Sequence, residues 1–316
     1  MTDPDFTAIP VVDIAALQSG DKAGIQSVAG EIAKACETAG FLYVKNHGIP
    51  PEVVSGVFDA AHWFFWQPQA ERDAIDLSRS RCFRGYVPMG IVGPNVPRRL
   101  LEAFQMMLDL PADDPDVRAG NVMYGANVWP RDAAAFRKAM DRYYEEVWAL
   151  SERLLGAFAV GLGLDADYFR PFFRKPLTQL RLLHYPPQPK NAEALGVEAH
   201  TDTGAFTILL QDDAGGLEVR NRAGDWIAAA PVAGTFVINI ADMMQRWTNG
   251  RFVSTPHRVA NRTGADRISV PFFANPDYAA TVVPLGGSAG GYEPLACGPY
   301  VEKAYRAAWP LASPAA

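Results

Sequence analysis

The chain has 316 residues, of which 49% are hydrophobic and 20% are charged. This balance is that of a globular protein with a sizeable core, and it excludes an intrinsically disordered or low-complexity chain. The 29 Lys and Arg residues against 35 Asp and Glu residues give a formal charge of −6, so no general basic field exists that would hold nucleic acid or an anionic membrane.

The cysteines and the apolar stretches indicate the compartment in which the protein is expected. Cys36, Cys82 and Cys297 are too few and too widely spaced for a disulfide framework, and their odd number favours reduced thiols. The first residues have neither the basic start nor the apolar stretch of a secretion signal, and no run reaches the ~18 to 20 apolar residues that span a bilayer. We therefore expect a cytoplasmic protein with no membrane partner.

The N-terminal half is predicted to contain helices with a short strand between them. Apolar residues at helical spacing predict a helix over 21–39, and Gly40 follows where a left-handed cap would sit. A β-prone run over 41–44 comes next, and Pro51 then introduces a second helix. Residues 78–132 contain many Gly, Pro and Arg residues, so only one strand is predicted there and the rest is expected to be irregular.

The C-terminal half begins with a long amphipathic helix from residue 132 to Gly161. After Pro176 the sequence consists of short β-prone runs separated by Gly, Pro, Asn or Asp clusters, which is typical of a sandwich or jelly roll. Residues 300–309 could form a last short helix. No polar linker separates the two halves, so the helices are expected to pack on the sheets in one compact domain. The predicted strands are 101–108, 180–185, 197–201, 206–210, 217–220, 226–229, 235–240 and 268–273.

Three side chains of the strand region have the chemistry of a metal site. His200 and Asp202 are two residues apart at the end of a predicted strand, so both point to the same side. His257, at the start of another β-prone run, is the candidate third ligand. Two imidazoles and one carboxylate form the facial triad that leaves three positions open on Fe(II), although Zn(II) could take the same ligands.

A second pair of residues favours iron over zinc. Arg267 and Ser269 share a strand face and offer a guanidinium fork and a hydroxyl, which together suit a carboxylate. A dicarboxylate such as 2-oxoglutarate could chelate iron through its 2-oxo and C1 carboxylate groups while Arg267 binds the far C5 carboxylate. A plain zinc hydrolase has no need of this arrangement.

These residues lie within a longer series of motifs. The motifs are Ile9-Pro10-Val11-Val12-Asp13, Gly40-Phe41, Asn46-His47-Gly48-Ile49-Pro50, His200-Thr201-Asp202-x-Gly204, Thr207-Ile208-Leu209, Gln211-Asp212, Gly216-Leu217-Glu218-Val219, Asn239-Ile240-x-Asp242, Thr248-Asn249-Gly250-Arg251-Phe252-x-Ser254, His257-Arg258-Val259 and Arg267-x-Ser269-x-Pro271-Phe272-Phe273. The series resembles the Fe(II)/2-oxoglutarate-dependent oxygenases of the isopenicillin N synthase-like superfamily.

The resemblance implies a fold, a reaction and a set of cofactors. The fold would be mainly β with flanking helices: a helix-rich region over 1–175, a double-stranded β-helix (jelly-roll) core over 176–285, and a C-terminal tail with a short helix over 286–316. The protein would be an oxidoreductase, a 2-oxoglutarate-dependent dioxygenase that binds Fe(II), consumes 2-oxoglutarate and O₂, and releases succinate and CO₂. Hydroxylation of a small molecule is the expected outcome, with desaturation and ring closure as open alternatives.

The resemblance also assigns roles around the cosubstrate. In the family's usual pattern a Tyr just before Pro reaches the C5 carboxylate, and Tyr185 occupies that place. Leu183 stands where many plant members carry an Asn, so the usual side-chain contact to the C1 carboxylate is missing. Arg181 shares the strand face of both residues, and we expect it to supply that contact or to grip an acidic substrate.

Further residues are candidates for lesser roles. His47, His62 and His184 are expected to be structural, the last because it faces away from the strand face of the cosubstrate residues. Asn239 and Asp242 are expected to shape a turn. The candidates for the substrate pocket are Phe83, Tyr86, Arg98, Arg99, Phe104, Met106 and Phe273.

Three other functions fit parts of the pattern. The first is an iron oxidase that does without 2-oxoglutarate, and the second is an enzyme that breaks 2-oxoglutarate down to ethylene. The third is a non-catalytic metal-binding or ligand-binding protein on the same fold. Because the chain has no basic stripe, the expected partner is a small molecule rather than nucleic acid.

Overall fold

The structure, a computed structural model, describes residues 5–90, 100–188, 195–261, 263–287 and 291–309. Strands form the centre of the molecule and helices pack on the outside, which confirms the fold class expected from the sequence. No helix in these ranges is long and apolar enough to cross a bilayer.

The helices begin and end where the sequence provides capping groups. The Asp21 side chain accepts hydrogen bonds from the backbone N–H groups of Ala23 and Gly24, and so caps the first helix. That helix is followed by Gly40, whose φ of +66° and close approach to the carbonyl of Val253 leave no room for a side chain. The α-helices are α1 Lys22–Thr38, α2 Pro51–Phe65, α3 Gln69–Asp73, α4 Pro115–Arg118, α5 Ala134–Gly161, α6 Asp242–Trp247 and α7 Cys297–Ala308, and single 3₁₀ turns lie at Ala15–Gln18, Leu77–Arg79 and Arg170–Phe172.

The strands are short, and about half of them are buried along most of their length. They are β1 Val11–Asp13, β2 Phe41–Lys45, β3 Gly85–Val87, β4 Glu102–Met107, β5 Gln179–Tyr185, β6 Val197–His200, β7 Phe206–Gln211, β8 Leu217–Arg220, β9 Trp226–Ala228, β10 Thr235–Ile240, β11 His257–Val259, β12 Arg267–Ala274, β13 Thr281–Val282 and β14 Leu295–Ala296.

The strands form two main sheets whose neighbours are distant in sequence. The large sheet has the order β1-β2-β10-β7-β12-β5-β4-β3, and the smaller one has the order β6-β11-β8-β9. All pairs except β1 with β2 are antiparallel in these two sheets. The helix α5 packs on α1 and α2, and an aromatic cluster that includes Phe64, Phe104 and Phe136 fills the space between the helices and the large sheet.

The region over 78–132 is more ordered than the sequence indicates. It contains β3 and α4 in addition to the predicted strand, and β3 pairs with β4 at the edge of the large sheet. Much of it is organised around Arg84, which is fully buried and whose guanidinium donates to the carbonyls of Met123 at 3.1 Å and Leu108 at 3.2 Å. Backbone acceptors that converge on one buried cation leave no periodic pattern in the sequence, so this order could not be predicted.

Candidate active site

A cavity of about 220 Å³ lies between the two sheets. Strands β5, β7, β10 and β12 of the large sheet form one wall, and β6, β8 and β11 of the smaller sheet form the other. Apolar side chains cover most of the surface, and a few polar groups converge at two places within it. An apolar cleft with a few convergent polar groups is the usual form of a small-molecule site.

The first polar group is a triad at one end of the cavity. His200 and His257 are directly paired across β6 and β11, and their ring centroids are 4.3 Å apart. Asp202 Oδ1 lies 3.7 Å from Nε2 of His200 and 3.8 Å from Nε2 of His257. The three ligand atoms lie within 4.8 Å of one another, and this is the one such cluster of His, Cys, Asp or Glu side chains in the part of the chain that the structure describes.

Both imidazoles are turned so that Nε2 faces the centre of the triad. His200 Nδ1 is 2.8 Å from the carbonyl of Glu198, and His257 Nδ1 is 3.2 Å from the carbonyl of Thr255. A carbonyl can only accept, so each Nδ1 carries a proton, and in the neutral ring Nε2 then keeps a lone pair that can bind a metal. Metal-binding histidines usually have their second nitrogen fixed in this way.

Asp202 is held so that one oxygen is used and the other is directed at the imidazoles. Its Oδ2 accepts hydrogen bonds from Thr207 Oγ1 at 2.6 Å and from Asn239 Nδ2 at 2.8 Å. Burial alone would raise the pKa of this carboxyl, but the positive charge that His257 and His200 carry when protonated, together with these two donors, outweighs burial and lowers the pKa. Asp202 is therefore an ionised and oriented carboxylate, and Asn239 acts on it directly instead of only shaping a turn.

Asp242 joins the segments that carry the triad. Its backbone N–H donates to the carbonyl of Asp202 at 2.8 Å, and its carboxylate accepts from Thr201 Oγ1 at 3.1 Å and from Ser254 Oγ at 2.7 Å. The turn-shaping role expected from the sequence thus extends to the segment that precedes His257.

The second polar group is a buried guanidinium. Arg267 is 1% exposed; its Nε donates to the carbonyl of Gly215 and its Nη1 donates to Ser269 Oγ at 3.1 Å. Its Nη2 has no hydrogen-bond partner within the described residues, although both Arg267 and Ser269 line the cavity. A buried donor without a partner is costly, so this group fits an anionic ligand that completes the fork.

The strand β5 delivers a row of side chains to the same wall. Tyr185 is paired with Arg267 across β5 and β12, and its ring lies under the guanidinium at 4.7 Å. Leu183, Arg181 and Gln179 follow at two-residue intervals, and all line the cavity as strand alternation requires. The guanidinium of Arg181 lies 5.2 Å from the centre of the Trp309 ring, which directly follows α7.

The aromatic pocket candidates separate into two groups. Phe273 lines the cavity. The structure places the others away from the described lining: Phe83 packs against the Tyr305 ring from behind, Tyr86 donates to the carboxylate of Glu102, and Phe104 belongs to the aromatic cluster beneath the helices. Met106, which is also buried, lies outside the described lining as well, and Arg98 and Arg99 lie outside the described residues.

The helix α7 forms a wall of the cavity that the sequence did not predict. Val301, Ala304, Tyr305, Ala308 and Trp309 all line the cavity. Positions 301, 304, 305 and 308 form one stripe of the helix, and Trp309 directly follows its last residue. That spacing is visible in the sequence and predicts a buried face, but nothing local shows that the face covers a cavity.

The remaining histidines lie elsewhere. His47 packs on Phe236, His62 is exposed on α2 next to Trp66, and His184 lies on the face of β5 opposite the cavity. None of them belongs to the triad cluster.

Two family models match the sequence in the regions that build the site. The model of the 2OG-Fe(II) oxygenase superfamily matches residues 176–276, and the model of the N-terminal region of a non-haem dioxygenase in morphine synthesis matches residues 9–132. The first region contains the triad and the buried guanidinium, and the second contains α1 and α2.

Similar proteins cover nearly the whole chain. The 2-oxoglutarate-Fe(II) type oxidoreductase hxnY of Emericella nidulans is 34% identical over 95% of this chain and 90% of its own length. The homoarginine-6-hydroxylase 2-ODD-C23 of Glycine max is 34% identical over 89% of both chains.

A solved structure is similar over the same extent. Full-length Neurospora crassa T7H in complex with alpha-KG and thymine has a TM-score of 0.84 and 28% sequence identity, and the match covers 96% of this chain and 98% of that one. With both family models and near full-length relatives in agreement, the chain belongs to the Fe(II)- and 2-oxoglutarate-dependent oxygenases, and it is a dioxygenase whose cofactors are Fe(II), 2-oxoglutarate and O₂.

Proposed function

We propose that His200, Asp202 and His257 bind the Fe(II) of an enzyme that hydroxylates a small molecule. The observation that carries this proposal is the convergence of two imidazole Nε2 atoms and one carboxylate oxygen within 4.8 Å, with each Nδ1 directed at a backbone carbonyl. Two neutral imidazoles and one carboxylate on one side of a metal suit Fe(II) and leave its other side open. The thymine in the T7H structure supports a substrate of modest size.

The cosubstrate would lie between the triad and the buried guanidinium. Arg267 offers a free Nη2, and Ser269 Oγ already lies within hydrogen-bond distance of Nη1, so both could bind the C5 carboxylate. Tyr185 packs on the guanidinium and holds it in place. The donor set therefore fits a diacid that chelates iron with one end and meets the arginine with the other.

Arg181 would bind a second carboxylate. Leu183, two residues further along β5, has no group that can contact the C1 carboxylate, and Arg181 lines the same wall. Gln179, on the same face, has an Nε2 without a partner in the described chain. We assign Arg181 to the C1 carboxylate of 2-oxoglutarate or to an acidic group of the prime substrate, with Gln179 and Phe273 beside it.

The protein contributes position and exclusion of water. Bound Fe(II) with 2-oxoglutarate supplies the activation of O₂ that oxidises a C–H bond and yields succinate and CO₂. Thr207 and Asn239 keep Asp202 in one orientation, so its Oδ1 would be held toward the two imidazoles to bind the metal. The apolar stripe of α7 covers that cavity, which keeps water away from a reactive oxidant.

The domain division and the location are part of the proposal. We propose one compact domain in which region 1–175 supports the core over 176–285 and region 286–316 closes the cavity with α7. Cys36, Cys82 and Cys297 are all free, and burial raises the pKa of the Cys297 thiol to about 12, which is consistent with work in the reducing cytoplasm.

The test is the fate of 2-oxoglutarate. Purified protein with Fe(II), ascorbate, O₂ and 2-oxoglutarate should release succinate, and a screen of metabolites should reveal one that stimulates this release. His257→Ala should abolish succinate release, whereas His62→Ala, an exposed histidine on α2, should leave it unchanged. Ethylene is measured in the same vials, with and without added arginine. Ethylene in place of succinate would point to the ethylene-forming alternative, and no turnover of 2-oxoglutarate at all would refute the proposal.

A further inference from the structure

A buried polar network lies behind the site, on the opposite face of the large sheet. His184 Nδ1 is 2.8 Å from Glu102 Oε1, and His184 Nε2 is 2.7 Å from Asp266 Oδ1. The imidazole lies between the rings of Phe65 and Trp66, at centroid distances of 5.2 Å and 5.1 Å. None of these five side chains lines the cavity.

The geometry fixes the charge of the imidazole. A neutral imidazole has one N–H, but both ring nitrogens of His184 face carboxylate oxygens, which can only accept when ionised. Both nitrogens are satisfied as donors only if the ring is an imidazolium. Burial alone would lower the pKa of His184, but the hydrogen bonds and charges of Glu102 and Asp266 outweigh it and raise the pKa.

The charged groups around the imidazolium come from β4, from α3 and from the residue before β12. Glu102 belongs to β4, and its second oxygen accepts from Arg72 of α3 and from the Tyr86 hydroxyl of β3. Asp266 precedes β12 and is 42% exposed. Phe65 at the end of α2 and Trp66 directly after it contribute aromatic rings, so the imidazolium has one enclosed carboxylate on one side and one accessible carboxylate on the other.

The contact between His184 and Asp266 lies next to Tyr185 and Arg267, the two residues assigned to the cosubstrate. His184 directly precedes Tyr185 in β5, Asp266 directly precedes Arg267, and Tyr185 is paired with Arg267 across the strands. Adjacent residues of a strand point to opposite faces. The contact between His184 and Asp266 therefore holds the two backbones together at the point where Tyr185 and Arg267 enter the cavity. We propose that the His184–Asp266 ion pair is a positioning device that keeps Arg267 and Tyr185 aligned for the C5 carboxylate of 2-oxoglutarate.

This inference rests on the proposed binding of 2-oxoglutarate, and Asp266 offers the mildest way to test it. Asp266→Ala removes the accessible carboxylate and leaves the enclosed pair of His184 with Glu102 in place. We expect 2-oxoglutarate to bind roughly three- to tenfold more weakly. This loss is at or below the lower end of the affinity losses seen when a hydrogen-bond partner of a binding residue is removed. Asp266→Asn keeps an oxygen that accepts from the imidazolium and should restore most of the affinity. Asp113→Ala, at an exposed aspartate, is the matched control.

The affinities are measured without oxygen, by titrating 2-oxoglutarate into the Fe(II)-loaded full-length protein and following the metal-to-ligand charge-transfer band. Fe(II) affinity and thermal unfolding are measured for each variant in parallel. The wild-type affinity for 2-oxoglutarate should fall as the pH rises through the raised pKa of His184, and Asp266→Ala should flatten that dependence.

The outcomes separate this inference from the proposed function. If the wild type gives no charge-transfer band, the proposed binding of 2-oxoglutarate is wrong and this inference falls with it. If the band appears but Asp266→Ala binds 2-oxoglutarate as tightly as Asp113→Ala, only the positioning role is wrong. An equal loss of Fe(II) affinity, or a loss that Asp266→Asn does not restore, would also overturn it.

Discussion

The replacement of Arg267 by glutamine probes the interaction on which cosubstrate binding depends. Arg267 is 1% exposed, its Nε and Nη1 donate to Gly215 and Ser269, and its Nη2 finds no acceptor among the residues that the structure describes. Glutamine loses the charge and the fork, although it keeps one amide donor. A hydrogen bond between a charged donor and a carboxylate contributes about 1.5–3 kcal/mol, and about 1.4 kcal/mol corresponds to a tenfold change in affinity. We therefore expect 2-oxoglutarate to bind about ten- to a hundredfold more weakly.

The assay is the concentration of 2-oxoglutarate that half-saturates succinate release, together with the Fe(II) affinity of the same variant. Fe(II) affinity should not change, because Arg267 makes no hydrogen bond to the triad. Arg137→Gln removes an arginine that is 51% exposed on α5 and should leave both quantities at their wild-type values. A half-saturating concentration within twofold of wild type in the Arg267 variant would refute the assignment of the C5 carboxylate to this residue.

Three further predictions concern the metal, the pH and the backbone. Asn239→Ala removes one of two donors to Asp202 Oδ2, so Fe(II) should bind about tenfold more weakly in a competition titration, and unchanged affinity would contradict the role of Asn239. Because the pKa of His184 is raised in the folded state, the stabilisation by its charged form is complete below about pH 6.5 and is lost as the pH rises through the folded-state pKa. The difference in unfolding free energy between wild type and His184→Gln, measured with urea, should therefore shrink as the pH rises. A difference that stays constant with pH would contradict the charge assigned to His184. Gly40→Ala places a Cβ 2.2 Å from the carbonyl oxygen of Val253 at a φ of +66°, so it should destabilise the fold by about 1–3 kcal/mol or more, and an unchanged melting temperature would contradict the tight approach.

The parts of the site that strand alternation governs could be predicted from the sequence. Arg267 and Ser269 are two residues apart in a strand and Arg181 and Tyr185 are four residues apart, so in each pair both side chains enter the cavity from the same strand face. His257 needed more than alternation, because its direct pairing with a residue some 57 positions earlier is a property of the sheet. Its chemistry and the surrounding motifs supplied that information.

The pocket aromatics show what local sequence cannot decide. Phe104 and Phe273 are both aromatic residues in buried strands, yet one lies under the helices and the other lines the cavity. Which face of a strand meets the cavity depends on the register between strands, and a shift of one residue exchanges the faces. The sequence also could not show that the face of α7 with Val301 and Tyr305 lines the cavity, since a buried helix face has the same pattern whatever it packs against.

The different contacts of the two Asp202 carboxylate oxygens likewise could not be predicted from the sequence. Thr207 and Asn239 lie on β7 and β10, are directly paired across those strands, and both donate to the same oxygen. No spacing in the sequence connects them to a carboxylate on a different segment. Their convergence explains why the other oxygen faces the two imidazoles.

The most direct test of the account is an anaerobic titration of the wild-type protein with Fe(II) and 2-oxoglutarate. Because both imidazoles and Asp202 Oδ1 converge on one point, one Fe(II) per chain should bind, and addition of 2-oxoglutarate should produce the charge-transfer band of its chelate. His200→Ala and His257→Ala should each lose the band, and His62→Ala should keep it. A wild-type protein that binds no Fe(II), or a band that persists when either triad histidine is removed, would contradict the claim that these side chains form the iron site.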